Sequence, residues 1–421
     1  MKKIFSALAL VFALALAPIV KAQSYADAIA SNRDLAAYAF VTYRPQISAD
    51  TPVPKGYEPV YMSHYGRHGS RYHTSGYFFK AGEAGLKATK EAGILSKTGE
   101  SLLTDFMAVK EAHDGMEGQL SPRGAKEHRG IASRLYERNR KLFNSNTRNF
   151  IRCISSPIQR CIISMTNFTT ALNDKNPKLD FSYDTGDKYF RYICKEVTDS
   201  NLNDKYKAVA DSLSDAICTY EKMFASIFTD QEKARGIIED PKAFIRSIYM
   251  AGCICPCLDF LNVDIFGYFD EEELLNQSIA LNNRFLGGHG PSKEIGKERG
   301  KYARSLARDF VVKADEALAP SSNLAADLRF GHDTGIVPLL TFLGVEGYDN
   351  EVPIATAHEQ WRCYDRVCMA TNFEMIFYKG RDGSFLVKML CNEKEVTIPA
   401  LASKDGPYYD WAALKEYILS L

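Results

Sequence analysis

The 421-residue sequence has no net charge: 52 lysines and arginines stand against 52 aspartates and glutamates. That balance argues against a general nucleic-acid binder, which needs a basic surface. It does not exclude a small anionic ligand, because a local basic cluster can be positive within a neutral protein. No apolar run after the first two dozen residues is long enough to span a bilayer. No cysteine follows the N-terminal apolar run, which argues against a lipid anchor at that terminus. Internal repeats and low-complexity tracts are missing, so repeat architectures are not indicated. Cysteine pairs with metal-ligand spacing are missing too. The densest cysteine group, Cys253-Ile254-Cys255-Pro256-Cys257, is C-x-C-x-C with no histidine nearby. A metal site would want spaced pairs with histidine support, so a disulfide or simple burial is the expectation there. Cys363 and Cys368 are spaced to bridge a short loop.

What is present begins with a targeting segment. Lys2 and Lys3 precede an apolar run at 4–20, and Val20-Lys21-Ala22 is a small-residue cleavage site. Pro18 interrupts the end of the run, which favours a cleaved signal peptide at 1–22 over a membrane anchor. The mature protein is expected to be exported, periplasmic or secreted, with no membrane anchor. Without Lys2, Lys3 and Lys21, 49 basic residues stand against 52 acidic ones, a net charge of −3. About 400 residues remain, enough for a large core and usually more than one domain.

The stretch Tyr65-Gly66-Arg67-His68-Gly69-Ser70-Arg71-Tyr72 sets a histidine between two arginines, with a glycine on either side of the Arg-His pair. Residues 58–63 before it alternate as a strand, and the reading ends that strand at Gly66. A Gly-flanked segment leaving a strand can bring its backbone close to a ligand. Guanidinium groups offer paired N–H donors to a tetrahedral oxyanion. An imidazole nitrogen held among them can attack phosphorus.

The rest of the chain reads as alternating strands and helices. Residues 24–57 are a polar lead-in, helical over 25–38. Helices follow RHGSR, and Ser121-Pro122 begins another, with Ser121 as N-cap. A strand at 148–154 runs into Ser155-Ser156 and a helix bearing Arg160 near its N-terminus, where anions are favoured. A third strand, 324–330, ends just before His332-Asp333. Three strand ends thus deliver their groups to one edge of one sheet, where α/β sheets bind ligands. Residues 176–295 read as an inserted, mostly helical cap, closed by a Gly287-Gly288-His289-Gly290-Pro291 turn in which His289 is structural or solvated. A helix at 293–319 returns to the core. The expected fold is α/β: a sheet with flanking helices over 24–175 and 296–421, plus the cap. Late strands are expected at 367–378, 385–391 and 395–399, and a last helix at 411–419.

Arg67-His68-Gly69-Ser70-Arg71 resembles the RHGxR signature of the histidine phosphatase superfamily, in its secreted acid-phosphatase and phytase branch. Three further elements follow in that family's order: Leu120-Ser121-Pro122-Arg123-Gly124, Arg160 after a Ser-rich strand end, and His332-Asp333-Thr334. The resemblance implies a phosphomonoesterase. Arg67, Arg71, Thr74, Arg160 and His332 would bind the phosphoryl group. His68 would be the nucleophile that becomes phosphohistidine, and Asp333 the general acid and then the base for water. It implies no metal and no cofactor, and a small phosphate ester as the partner, with phytate and sugar phosphates among the candidates. The alternatives are a phosphoglycerate-mutase-like phosphotransferase and a noncatalytic phosphate or glycan binder. One departure bears on substrate choice: many members continue RHGxR-x-P-T, and here His73 stands in place of the proline before Thr74.

Overall fold

The computed structural model describes residues 23–194 and 199–421. The expected signal peptide, 1–22, lies outside them. One mixed sheet organises the chain. Its strands are β1 (Tyr57–Arg67), β2 (Phe150–Ser155), β3 (Asp180–Thr185), β4 (Leu324–Gly331), β5 (Asn372–Gly380), β6 (Phe385–Cys391), β7 (Lys394–Val396) and β8 (Tyr408–Asp410). Their order is β3-β2-β4-β1-β5-β6-β7, with β8 also paired to β6. The β3-β2-β4-β1 half is parallel, and the pairs from β1/β5 onward are antiparallel. Every residue of β4 is buried, as expected of a parallel strand covered on both faces.

Alternation along the strands sends side chains to two separate apolar clusters. Met62 and Ile376 belong to one, while Tyr61, Tyr65, Met375 and Phe377 belong to the other. The first cluster is closed by helices such as Pro122–Arg138, Gln159–Lys175 and Pro241–Ile254. The second is closed by Arg304–Leu318, Asp333–Phe342 and Trp411–Ser420. Most of the span between β3 and β4 is helical. In it Ser200–Ile217 packs on Glu271–His289, and Pro241–Ile254 packs on Lys80–Glu91. No helix among the described residues is long and apolar enough to cross a membrane.

Several elements differ from the sequence reading. β1 does not stop at Gly66: the ladder continues through it, opposite Phe330 and Asn372, to Arg67. The lead-in is a short α-helix, Tyr25–Ser31, then a 3-10 segment, Arg33–Phe40, broken at Tyr38. The helix Glu271–His289 runs straight through Gly287-Gly288 and is capped at Gly290, so His289 ends a helix instead of sitting in a turn. Residues 293–319 hold a 3-10 turn, Glu298–Ala303, ahead of the helix. The strand expected from 367 starts at Asn372. No disulfide joins any of the ten cysteines, and all but Cys255 are buried. Burial, the other half of the expectation for Cys253-Cys257, holds for Cys253 and Cys257, and the Cys363–Cys368 bridge is absent.

Candidate active site

The carboxyl ends of β1, β4 and β2 lie side by side, as the chain reading expected. At the end of β1 the backbone is held from both flanks. The Arg67 N–H donates to the Thr371 carbonyl (2.8 Å), and the His68 N–H donates to the Gly331 carbonyl (2.9 Å). The chain then turns against the start of helix Pro122–Arg138. Ser121 donates its N–H and hydroxyl to the Ser70 carbonyl, at 2.9 and 3.1 Å. The approach is too close for side chains. A Cβ on Gly69 would lie 2.6 Å from the Gly124 oxygen, and one on Gly124 would lie 2.3 Å from the Ser70 oxygen. The Ser-Pro-x-Gly element is therefore a clamp on the RHGSR loop. One turn later the buried Glu127 carboxylate accepts the Ser70 N–H (2.8 Å), the Ser70 hydroxyl (2.7 Å) and the Tyr43 N–H (3.0 Å).

His68 is buried, and its Nδ1 lies 3.0 Å from the Gly69 carbonyl. A carbonyl only accepts, so Nδ1 carries the proton and Nε2 keeps its lone pair. Burial, reinforced by Arg160, Arg67 and Arg71, holds the His68 pKa well below its ordinary value, so the ring is neutral. Arg67 is fully buried. Its Nη1 donates to the carbonyls of Ala39 (2.8 Å), Val367 (2.6 Å) and Cys368 (3.2 Å), and its Nη2 pairs with Asp333 at 2.8 Å. Arg71 donates to the Tyr72 carbonyl at 2.8 Å and lies 4.8 Å over the Phe40 ring. Burial, then Arg160 and Arg67, push its pKa down to about 10, which leaves it cationic at neutral pH. Arg160 reaches the Gly118 carbonyl and His332 Nδ1, both at 3.3 Å. The Nε atoms of Arg67, Arg71 and Arg160 are all buried with no hydrogen-bond partner. Three unpartnered buried donors around one histidine call for an acceptor.

His332 follows β4, its ring 5.5 Å from that of His68. A guanidinium only donates, so Nδ1 of His332 accepts from Arg160, and Nε2–H faces the Ser156 hydroxyl at 2.9 Å. Burial, then Arg160, hold its pKa down to about 3. The sequence reading made His332 a donor to phosphate. Here its Nδ1 is an acceptor occupied by Arg160 and its Nε2 is turned to Ser156. Asp333 opens the helix Asp333–Phe342, whose N-cap is His332, so Asp333 is not itself the capping residue. Its carboxylate does accept the Thr334 N–H at 2.9 Å. Burial alone would raise the Asp333 pKa. Arg67, then His289 and Arg71, override that and hold the carboxyl well below the usual range.

The expected charged set is thus brought together, and Thr74 is exposed beside Gly118, whose carbonyl Arg160 reaches. Sequence reasoning missed Ala39, Phe40, Ser156 and Glu127. It placed His289 in a turn, whereas the helix end sets it where its charge acts on Asp333. His73, the departure from the family pattern, is buried with Nε2 2.7 Å from the Met250 carbonyl, which ties the loop to helix Pro241–Ile254.

No protein-family model matches the sequence, and no curated protein matches it. Solved structures do. The multiple inositol polyphosphate phosphatase of Bifidobacterium longum, in complex with inositol hexasulfate, superposes with a TM-score of 0.75 at 20% identity, over 90% of this chain and 96% of its own. The phytase from D. castellii gives 0.67 at 14% identity, over 92% and 84%. The phytase from Citrobacter braakii gives 0.53 at 12% identity, over 87% and 98%. At such identities the likeness is one of fold, and the chain has the fold of the histidine acid phosphatases, the group its motifs resemble.

Proposed function

We propose that the protein is a phosphomonoester hydrolase that works through a phosphohistidine. The observation that carries this reading is three arginines, each with a buried unpartnered Nε donor, whose charges act on a neutral histidine with Nδ1 bonded to a carbonyl. A phosphoryl anion supplies the acceptors those donors lack, and the clamp stabilises charge on its nonbridging oxygens. Arg67, Arg71 and Arg160 hold the phosphoryl group, with His332 beside it. His68 Nε2 attacks phosphorus, the P–O bond to the leaving group breaks, and Asp333 gives the departing oxygen a proton. Water then cleaves the N–P bond, with Asp333 taking the proton of that water. The leaving group is a small alcohol. Neighbours that are phytases or that hold inositol hexasulfate put inositol phosphates among the candidates, beside sugar phosphates.

The Arg67–Asp333 pair adds a condition. Arg67 keeps the neighbouring Asp333 ionised, and an ionised carboxylate is no acid. A bound phosphoryl anion shares Arg67 and places negative charge beside the carboxyl, which raises its proton affinity. The proton then enters with a monoanionic ester, so turnover is expected to favour acidic pH. The test is rapid quenching with a labelled ester. The wild type is expected to trap an acid-labile phosphoenzyme, and His68→Ala to lose turnover by about 10⁴-fold or more while still binding phosphate. Near-normal turnover by the alanine variant would remove this mechanism. Phosphate binding with no turnover in the wild type would point to a noncatalytic binder.

A further inference from the structure

A chain of rings starts beneath one of the arginines. Arg71 lies over Phe40, whose ring is 5.5 Å from Tyr38. Tyr38 is 6.4 Å from Phe285, and Phe285 is 4.6 Å from His289, both on helix Glu271–His289. His289 acts in turn on Asp333, and Tyr38 lies within the field of both Arg71 and Asp333. The rings therefore form an arc that starts at one phosphate-binding arginine and ends at the acid. Tyr38, Phe285 and His289 are partly exposed, and Phe285 stacks on Trp361 with ring centroids 6.1 Å apart. Tyr38 is held at φ 42°, ψ −112°, a backbone conformation that residues with a side chain rarely adopt. Its neighbours fix that geometry, through the Ala39 carbonyl on Arg67 and the Phe40 ring under Arg71. Backbone outliers of this kind gather at ligand sites.

Resting on the phosphatase reading, we propose that this arc receives the leaving group and selects monophosphate esters of ring-bodied alcohols, whose flat faces pack on it, over polyphosphorylated rings. Asp333 must sit beside the departing oxygen, so the alcohol beyond that oxygen meets the arc. Aromatic faces pack well on flat rings and C–H edges. Beyond the Tyr38 hydroxyl and the His289 ring the arc has no lysine or arginine for a second phosphate, and burying a charge without cationic partners is costly. The three arginines are already committed to one phosphoryl group.

The test is phosphate release by the full chain from 4-nitrophenyl phosphate, glucose 1-phosphate, glycerol 2-phosphate and phytate. In the wild type, kcat/KM is expected to be higher for glucose 1-phosphate than for phytate. Tyr38→Ala and Phe285→Ala are each expected to lower the ratio of ring ester to glycerol ester by about tenfold, the size of one lost aromatic contact. Phe285→Leu keeps apolar volume against Trp361 and loses only the flat face, so it must lower the ratio too. Preference for phytate, or ratios unchanged in the folded variants, would overturn the arc and leave the phosphatase reading standing. Failure of the wild type on every ester, glycerol phosphate included, would overturn both.

Discussion

Charge is handled in opposite ways at the carboxyl ends of β1, β2 and β4 and elsewhere along the sheet. Away from those ends cations meet their own carboxylates: Arg152 on β2 pairs with Asp327 on β4, and Arg329 with Asp309, both at 2.7 Å. Lys388 pairs with Glu395 (2.9 Å) and Asp50 (3.3 Å), Arg138 with Asp50 (3.2 Å), and Arg134 makes a bidentate pair with Glu393. At the carboxyl ends Arg67 pairs with Asp333, and Arg67, Arg71 and Arg160 each keep a buried Nε–H unspent. Matched pairs hold a structure together but leave nothing for a ligand. Burying three guanidinium groups beside one carboxylate is expensive, and a bound anion offsets that cost. The contrast between the strand ends and the rest of the sheet marks the ligand site independently of any motif.

After His68→Ala, the largest expected effect comes from removing the carboxylate that Arg67 pairs with. Asp333→Asn keeps shape and still accepts the Thr334 N–H, but it cannot give a proton. Alkyl phosphate hydrolysis is expected to fall by about a hundredfold or more. The early burst from nitrophenyl phosphate, whose leaving group needs no proton, should be slowed much less. Equal loss of burst rate on both substrates would deny Asp333 the role of acid. A smaller effect is expected where the cationic loop meets its clamp. Gly124→Ala drives a Cβ into the Ser70 backbone and should lower kcat/KM by about tenfold or more, through displaced arginines. Gly76→Ala meets open space and should change nothing measurable. If the two alanine variants behave alike, the clamp is not what positions the loop.

The smallest effect lies in the antiparallel half, away from the strand ends, and concerns stability alone. Glu374 is buried with both carboxylate oxygens unpartnered, and burial raises its pKa to about 7, against the pull of Arg138. A raised pKa means the folded state holds the proton more tightly. The stability from this group is therefore fully present below the unfolded value and is lost as pH rises through about 7. Glu374→Gln is expected to be more stable than the wild type at pH 8, by on the order of 1–3 kcal/mol. The difference should vanish near pH 4, as read by denaturant melts at the two pH values. Phosphate release should be unaffected.

Much of the site was legible because its chemistry needs charged side chains in short contiguous runs, and RHGSR and His332-Asp333 are such runs. The alternation of Tyr61 with Met62, and the Ser121-Pro122 cap, likewise announce a strand and a helix start locally. What stayed hidden acts through the backbone or at long range. Ala39 matters through its carbonyl on Arg67, and no pattern of side chains reports that. Phe40 looks like any apolar residue until Arg71 lies on it. Glu127 reads as an ordinary helix carboxylate, because the three donors that bury it come from Ser70 and Tyr43. β1 was read as ending at Gly66 because glycine is a local breaker, whereas its partners Phe330 and Asn372 lie about 260 and 300 residues away.

The three carbonyls on Arg67 Nη1 carry a consequence for when the protein becomes functional. They come from Ala39 and from Val367 and Cys368, so the guanidinium beside the nucleophile is fixed by chain segments more than 300 residues apart. Contacts of such sequence separation form late in folding, because a large loop must close before they repay it. A nascent chain has both His68 and His332 once residue 332 is made, yet Arg67 still lacks two of its three anchors. Synthesis past Cys368, with about an eighth of the chain still to be added, is what supplies them.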